Sequence, residues 1–195
     1  MMINDLRFEM RMKIEIVFVI LLGCIIAGCT GEEEDVFNGA EWIQDLRPLP
    51  GADSLFYLEN PAPLFRKEFT TDRQVKSAKL YITAAGYYKF SLNGNGSEKN
   101  ILSPAWTDYN RRIYYSVYDI SHKLTEGENC LGVALGNGFY NPLPLRMWGH
   151  LNLREKLSVG KPCFKARLII EYENGRKQIH TRFGLFQFIE NGWLD

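Results

Sequence analysis

Hydrophobic and polar positions alternate every second residue through several short stretches of the chain, and no long stretch carries a helical period. Phe65 to Phe69 reads as a first strand. In the next run Ala78, Leu80, Ile82 and Ala84 share one face, with Ser77, Lys79, Tyr81 and Thr83 on the other. Tyr87 to Leu92 alternates again, with Tyr88, Phe90 and Leu92 predicted inward, before a turn at Asn93-Gly94-Asn95-Gly96. Ile113 to Asp119 and Cys130 to Gly136 follow. The second of these sorts its residues by size: Leu131, Val133 and Leu135 point one way, Cys130, Gly132, Ala134 and Gly136 the other. Phe164, Ala166, Leu168, Ile170 and Tyr172 form a last apolar face, and Asn174-Gly175 predicts a two-residue hairpin turn after it. Short alternating strands, glycine-rich turns and a crossover between halves predict an all-β fold, an antiparallel β-sandwich.

Between those strands the chain changes character. Gly136-Asn137-Gly138 frees the backbone for a sharp exit, and Phe139 to Trp148 is too polar and proline-rich for a core. That loop is predicted to present side chains. Ala40 to Asn60 reads as a connecting segment containing Trp42, Pro48 and Pro50, with no sustained period.

Composition narrows the function classes. The 195 residues include 23 basic and 23 acidic side chains, a balance that argues against nucleic acid as a partner. Aromatic residues make up 13% of the chain, which suits a sandwich core and a sugar-stacking surface equally. His122, His150 and His180 stand far apart without a neighbouring ligand, so no metal site is read and no cofactor is expected; all three read as surface or loop histidines.

The chain opens with an address. Arg11 and Lys13 precede an apolar run, Ile14 to Ile26, broken by Glu15 and short for a membrane span. It ends in Ile26-Ala27-Gly28-Cys29, which resembles a bacterial lipobox. On that resemblance residues 1–28 are a lipoprotein signal peptide, Met10 or Met12 is an alternative start, and Cys29 is the lipidated first residue of the mature protein. The bland reading is an ordinary signal or short anchor with an incidental cysteine. The acidic run Glu32-Glu33-Glu34-Asp35 reads either as a solvated tether or as a surface-export signal similar to that of Bacteroidetes-type lipoproteins. The expected location is lipid-anchored to a bacterial outer membrane, periplasmic or at the cell surface. Cys130 and Cys163 then remain, as separate thiols or as a disulfide that an oxidising compartment would allow.

A family resemblance is carried by Pro104-Ala105-Trp106-Thr107-Asp108-Tyr109, Arg112, Tyr115, Tyr118-Asp119-Ile120, Gly127-Glu128-Asn129 and Leu135-Gly136-Asn137-Gly138-Phe139-Tyr140. Phe65 to Phe69 and Leu80-Tyr81-Ile82 through Leu92-Asn93-Gly94 keep the same order upstream. This resembles the N-terminal domain of bacterial α-L-rhamnosidases, glycoside hydrolases of family 78. The resemblance implies a jelly roll of the galactose-binding-like type over residues 61–180, behind a tether and lead-in at 29–60 and ahead of an atypical tail at 181–195. That tail, TRFGLFQFIENGWLD, departs from the family pattern and reads as an apolar strand or as a frame-shifted or prematurely ended segment.

The family implies inverting hydrolysis of terminal α-L-rhamnose by two carboxylates on a separate (α/α)6 barrel, so no catalytic residue is carried onto this chain. Asp108, Asp119, Glu126 and Glu128 are the acids of the matched region, and turn-forming or solvated roles suit them. A sugar presents C–H faces and a rim of hydroxyls, which proteins meet with an aromatic plate and polar side chains. Trp106, Tyr140 and Trp148 are candidate plates; Asp108, Arg112 and Asn137 are candidate hydrogen-bonding partners, with Asn141, Arg111 and Arg146 beside them. The alternative is structural: Trp106 and Tyr109 lock the sheets, Arg112 pairs with Asp108, and the loop docks on the catalytic barrel. The expected role is therefore an accessory module of an α-L-rhamnosidase, serving a rhamnose-containing glycan and lacking the catalytic domain. A free-standing carbohydrate-binding surface lipoprotein is the alternative.

Overall fold

The computed structural model describes residues 35–72, 75–96 and 102–181. The expectations for the signal, for Cys29, for most of the acidic run and for 182–195 lie outside the described residues. One compact unit begins at Val36. Its strands are β1 (Ile43–Gln44), β2 (Leu64–Thr71), β3 (Val75–Ala85), β4 (Tyr87–Leu92), β5 (Asn95–Gly96), β6 (Tyr115–Asp119), β7 (Gly127–Gly136), β8 (Arg146–Met147), β9 (Leu151–Asn152), β10 (Cys163–Tyr172) and β11 (Lys177–His180). One sheet runs β1-β10-β3-β6, with β11 also on β10; the second runs β2-β7-β4-β5; β8 and β9 make a separate hairpin. All pairings are antiparallel.

The chain changes sheets from each long strand to the next: β2 lies in the second, β3 in the first, β4 in the second, β6 in the first, β7 in the second and β10 in the first. This is the jelly-roll habit of a two-sheet sandwich. The reversal from β3 to β4 turns on Gly86, which has φ +103° and lies so close to the Gly136 carbonyl that a Cβ would stand 2.6 Å from its oxygen. Glycine is the residue that fits both demands.

The inward faces are those the alternation predicts. Leu80 and Ile82 of β3, Leu92 of β4, Leu131 and Leu135 of β7, and Phe164, Leu168 and Ile170 of β10 are fully buried. Each such side chain contributes roughly 1.5–3 kcal/mol of transfer free energy. Phe65 meets Phe164 across the sheets with ring centres 5.2 Å apart. The small face of β7 points outward, and Ser91 on β4 lies over Gly132 where a Cβ would stand 2.7 Å from its hydroxyl. Cys130 and Cys163 are separate free thiols, on β7 and β10 of different sheets.

Three expectations change. The β10–β11 turn has three residues, Glu173 to Gly175, because Tyr172 N–H still donates to the Arg176 carbonyl at 2.9 Å; Gly175 takes φ +80° in it. His180 is not a surface histidine: its half-buried ring packs 5.3 Å from that of Phe69, and burial, with Lys67 nearby, pushes its pKa below the ordinary value. The lead-in is bound to the sandwich. Phe37 packs edge-on against Tyr115 at 5.6 Å, the Val36 carbonyl accepts from Arg167 at 2.9 Å, Ala40 is buried, and β1 pairs with β10.

Candidate functional site

Residues 103–114 connect the second sheet to β6 along one end of the sandwich. Buried Thr107 pins the segment by donating from Oγ1 to the Arg112 carbonyl at 2.5 Å. Asp108 then shapes a tight turn: its Oδ1 accepts from Asn110 N–H at 3.1 Å, and its carbonyl accepts from Arg111 and Arg112 N–H at 2.9 and 3.1 Å. The expected Asp108–Arg112 side-chain pair is not the one formed. Asp108 pairs with Arg111 at 3.5 Å, because i and i+3 share a face of the turn, while the Arg112 guanidinium swings to the Tyr114 ring, 5.5 Å from its centre.

The turn pushes Trp106 outward, where its half-exposed ring leans on Phe139 at 5.5 Å. Phe139 and Tyr140 come from a short 3-10 turn, Gly138–Tyr140, that leaves the end of β7. Gly138, with φ +51°, lets that turn press against the Tyr87 ring. Tyr140 meets Tyr109 edge to face at 5.0 Å. Behind it Gly160 donates its N–H to the Tyr140 carbonyl at 2.9 Å, and its bare Cα makes room for the phenol ring.

A groove results, made of three adjoining depressions. The first, of about 480 Å³, lies among Trp42, Tyr109, Asn110, Tyr140, Ser158 and Cys163, with Ala85, Ile113 and Val159 as its aliphatic floor. The second, of about 310 Å³, shares Tyr109, Asn110 and Ser158 with the first and adds Trp106, Asp108 and Lys156. The third, of about 490 Å³, shares Trp106 and Asp108 and adds Arg111, Arg112 and Tyr114. Burial raises the pKa of both Tyr109 and Tyr140, so their hydroxyls stay protonated and able to donate. Burial likewise raises the pKa of the Cys163 thiol, which favours its neutral form. Among the described residues no cluster of three or more His, Cys, Asp or Glu could hold a metal ion.

Four of the sequence candidates, Trp106, Asp108, Arg112 and Tyr140, therefore line one groove. Two do not. Asn137 accepts from Asn141 through both its side chain and its carbonyl, each at 3.0 Å, which fixes the loop. Trp148 stands at the tip of the β8–β9 hairpin, 76% exposed and with φ +51°. Asn141 has a structural task too: its Oδ1 accepts at 2.7 Å from Arg154, which also donates to the Pro142 carbonyl and lies 4.1 Å over the Phe56 ring. Arg154 thereby ties the lead-in to the loop, and Tyr57 adds a 3.3 Å hydrogen bond to the Pro144 carbonyl. Sequence reasoning missed Trp42, Tyr114, Lys156 and Arg154. A lone tryptophan in an otherwise aperiodic lead-in was the available signal for the first.

Comparison with known proteins bears on this architecture. A family model described as the alpha-L-rhamnosidase N-terminal domain matches residues 73–182. An alpha-L-rhamnosidase of Formosa agariphila is 36% identical over 114 residues, which are 58% of this chain and 12% of that protein. One of Alteromonas sp. is 31% identical over 129 residues, 65% of this chain and 13% of that protein. Among solved structures, native alfa-L-rhamnosidase from Aspergillus terreus superimposes with a TM-score of 0.62 at 26% identity, covering 74% of this chain and 16% of that one. The Streptomyces avermitilis alpha-L-rhamnosidase complexed with L-rhamnose gives 0.53 at 31% identity, covering 62% and 11%. The chain thus spans 8–13% of the length of the curated relatives it matches. By sequence and by fold, this chain belongs to the α-L-rhamnosidase N-terminal domain family.

Proposed function

We propose that the chain is an accessory, carbohydrate-recognising module that serves an α-L-rhamnosidase, with bond cleavage performed by the larger remainder of proteins of this kind. The observation that carries this reading is the aromatic groove. Trp42, Tyr109 and Tyr140 offer ring faces for sugar C–H surfaces, and Asn110, Ser158 and the tyrosine hydroxyls offer partners for its rim. A 6-deoxy sugar such as rhamnose adds a methyl corner, which suits the Ala85–Ile113–Val159 floor. Among the described residues lining the groove Asp108 is the acid, and glycoside hydrolysis needs a pair of carboxyl groups. Recognition, rather than cleavage, is what this groove can do.

At about 0.3 kcal/mol per heavy atom, a monosaccharide of this size binds at millimolar Kd. Isothermal titration of rhamnose-capped oligosaccharides onto the chain is expected to show saturable binding that Trp42→Ala abolishes. Wild-type protein that gives no saturable heat with any such ligand would sink the reading.

A second surface favours domain docking alongside recognition. Leu55, Tyr57 and Leu58 of the lead-in and Leu143, Leu145 and Trp148 of the loop are all exposed, and the Tyr57–Pro144 hydrogen bond sets the two segments side by side. Apolar surface of this extent suits burial against a neighbouring domain of the intact enzyme. Lipid anchoring through Cys29, and with it a place at the outer membrane, belongs to the same proposal; the apolar run Ile14 to Ile26 and the lipobox-like Ile26 to Cys29 support it. Metabolic labelling with a fatty-acid analogue should mark the wild type and leave Cys29→Ala unlabelled.

A further inference from the structure

The groove is not chemically uniform along its length. Around Trp42, Tyr109 and Tyr140 its lining holds no charged side chain. Beyond Tyr109 the lining becomes cationic: Lys156 enters in the middle section, and Arg111 and Arg112 in the last, against the single carboxylate of Asp108. Asp108 is already engaged, by Arg111 at 3.5 Å and by the N–H of Asn110. Among the described residues Arg112 and Lys156 have no carboxylate within ion-pair distance.

Two cations without acid partners among the described residues thus stand beside the aromatic side chains of Trp106 and Tyr114. Guanidinium groups bind carboxylate and sulfate oxygens in a forked, charge-assisted geometry. An aromatic ring beside them suits the apolar face of the sugar that carries the anion. Each section of the groove also has the size of a small-molecule site, roughly 300–1,000 Å³. The shared residues Trp106, Asp108, Tyr109 and Asn110 set the three sections side by side along the segment 103–114.

From this polarity we infer that the groove takes an anionic glycan, with a neutral deoxyhexose at the Trp42–Tyr140 end and a carboxylate- or sulfate-bearing sugar against Arg112, Arg111 and Lys156. The inference rests on the carbohydrate-recognising reading above and adds the ligand's charge and direction. Arg112 and Lys156 become the specificity determinants for the anionic sugar, and the aromatic end sets the position of the neutral one.

The test uses the chain and four soluble probes: L-rhamnose, an oligosaccharide alternating rhamnose with a uronic acid, the same oligosaccharide with its carboxyl groups reduced to alcohols, and a sulfated form of the reduced one. Affinities are measured calorimetrically at low and at physiological salt. The uronate-bearing probe is expected to bind about tenfold more tightly than its reduced counterpart at low salt, with the gap narrowing as salt shortens the screening length. The ratio should collapse towards one in the doubly substituted Arg112→Gln, Lys156→Gln protein, whose thermal unfolding is recorded to confirm that it is folded. A gain for the sulfated probe in place of the uronate would support the anionic site and identify its anion as sulfate. Equal binding of the charged and reduced probes overturns the inference while leaving carbohydrate recognition standing. Failure of all four probes to bind overturns both.

Discussion

Replacing Asn129 with alanine removes the polar pin that joins β2, the β4–β5 turn and the link from β6 to β7. Asn129 is 2% exposed, so water cannot take its place at no cost. Its Oδ1 accepts from Asn93 Nδ2 and from Thr125 N–H, both at 2.9 Å. Its Nδ2 shares two protons among Thr71 Oγ1 at 2.9 Å, the Thr125 carbonyl at 2.7 Å and the Gly127 carbonyl at 3.1 Å. Asn93 keeps the Lys123 carbonyl as a partner and the Thr125 carbonyl keeps the Thr71 hydroxyl, so those groups lose little. Thr125 N–H loses more, while Gly127 stays paired with Thr71 in the β2–β7 ladder. Thr125 is exposed, so water repairs part of its loss; the forfeited hydrogen bonds of the buried amide at roughly 0.5–1.5 kcal/mol each, plus a small void, place the cost at about 3 kcal/mol. Against a domain stability of about 5–15 kcal/mol that is a large fraction. In urea, with a slope of about 1–3 kcal/mol per molar, the unfolding midpoint should fall by more than about 1 M with the slope unchanged. Asn129→Asp should be no better, since it retains the acceptor, removes both donor protons and turns a carboxylate towards two carbonyls. A loss below about 1 kcal/mol for Asn129→Ala would refute the reasoning.

Three further substitutions probe other parts of the molecule. Gly160→Ala sets a Cβ 2.6 Å from the Tyr140 hydroxyl, so the ring must turn; rhamnoside affinity should fall by about tenfold or more in calorimetry with a smaller change in unfolding temperature. Burial, with Lys67 beside it, depresses the His180 pKa, so the fold favours the neutral ring; that stabilisation is complete above about pH 6.5 and lost as pH falls through the lower folded value. The stability difference between wild type and His180→Gln, followed from pH 8 to pH 5, should therefore shrink as the pH falls, and a constant difference would contradict the assignment. Trp148 holds a left-handed backbone, φ +51°, at an exposed hairpin tip, so Trp148→Asn, which tolerates that region, should raise stability by about 0.5–1 kcal/mol in chemical denaturation.

The sandwich was legible because its strands alternate. Leu80 and Ile82, Phe90 and Leu92, Leu131 to Leu135 and Phe164 to Tyr172 all face the core at the parity their spacing gives. The lead-in was not legible, since a two-residue strand and a single buried alanine leave no period to read. The groove was legible only in part. Trp106, Asp108 and Arg112 come from one segment, but Trp42, Tyr140 and Lys156 reach them through sheet order and not through sequence neighbourhood. Which arginine pairs with Asp108 depends on one turn's geometry, and the run Asp108 to Arg112 allows either. Asn137 looked like a free polar side chain beside glycines, yet a neighbour four residues on consumes it.

Nuclear magnetic resonance of the chain titrated with L-rhamnose tests the central claim most directly, because it reports position as well as affinity. The expected result is a saturable, millimolar shift of the Trp42 indole N–H and of the Asn110 and Ser158 amides, with the Trp148 indole unmoved. Absence of any saturable shift, or shifts confined to Trp148 and its hairpin, would contradict the account.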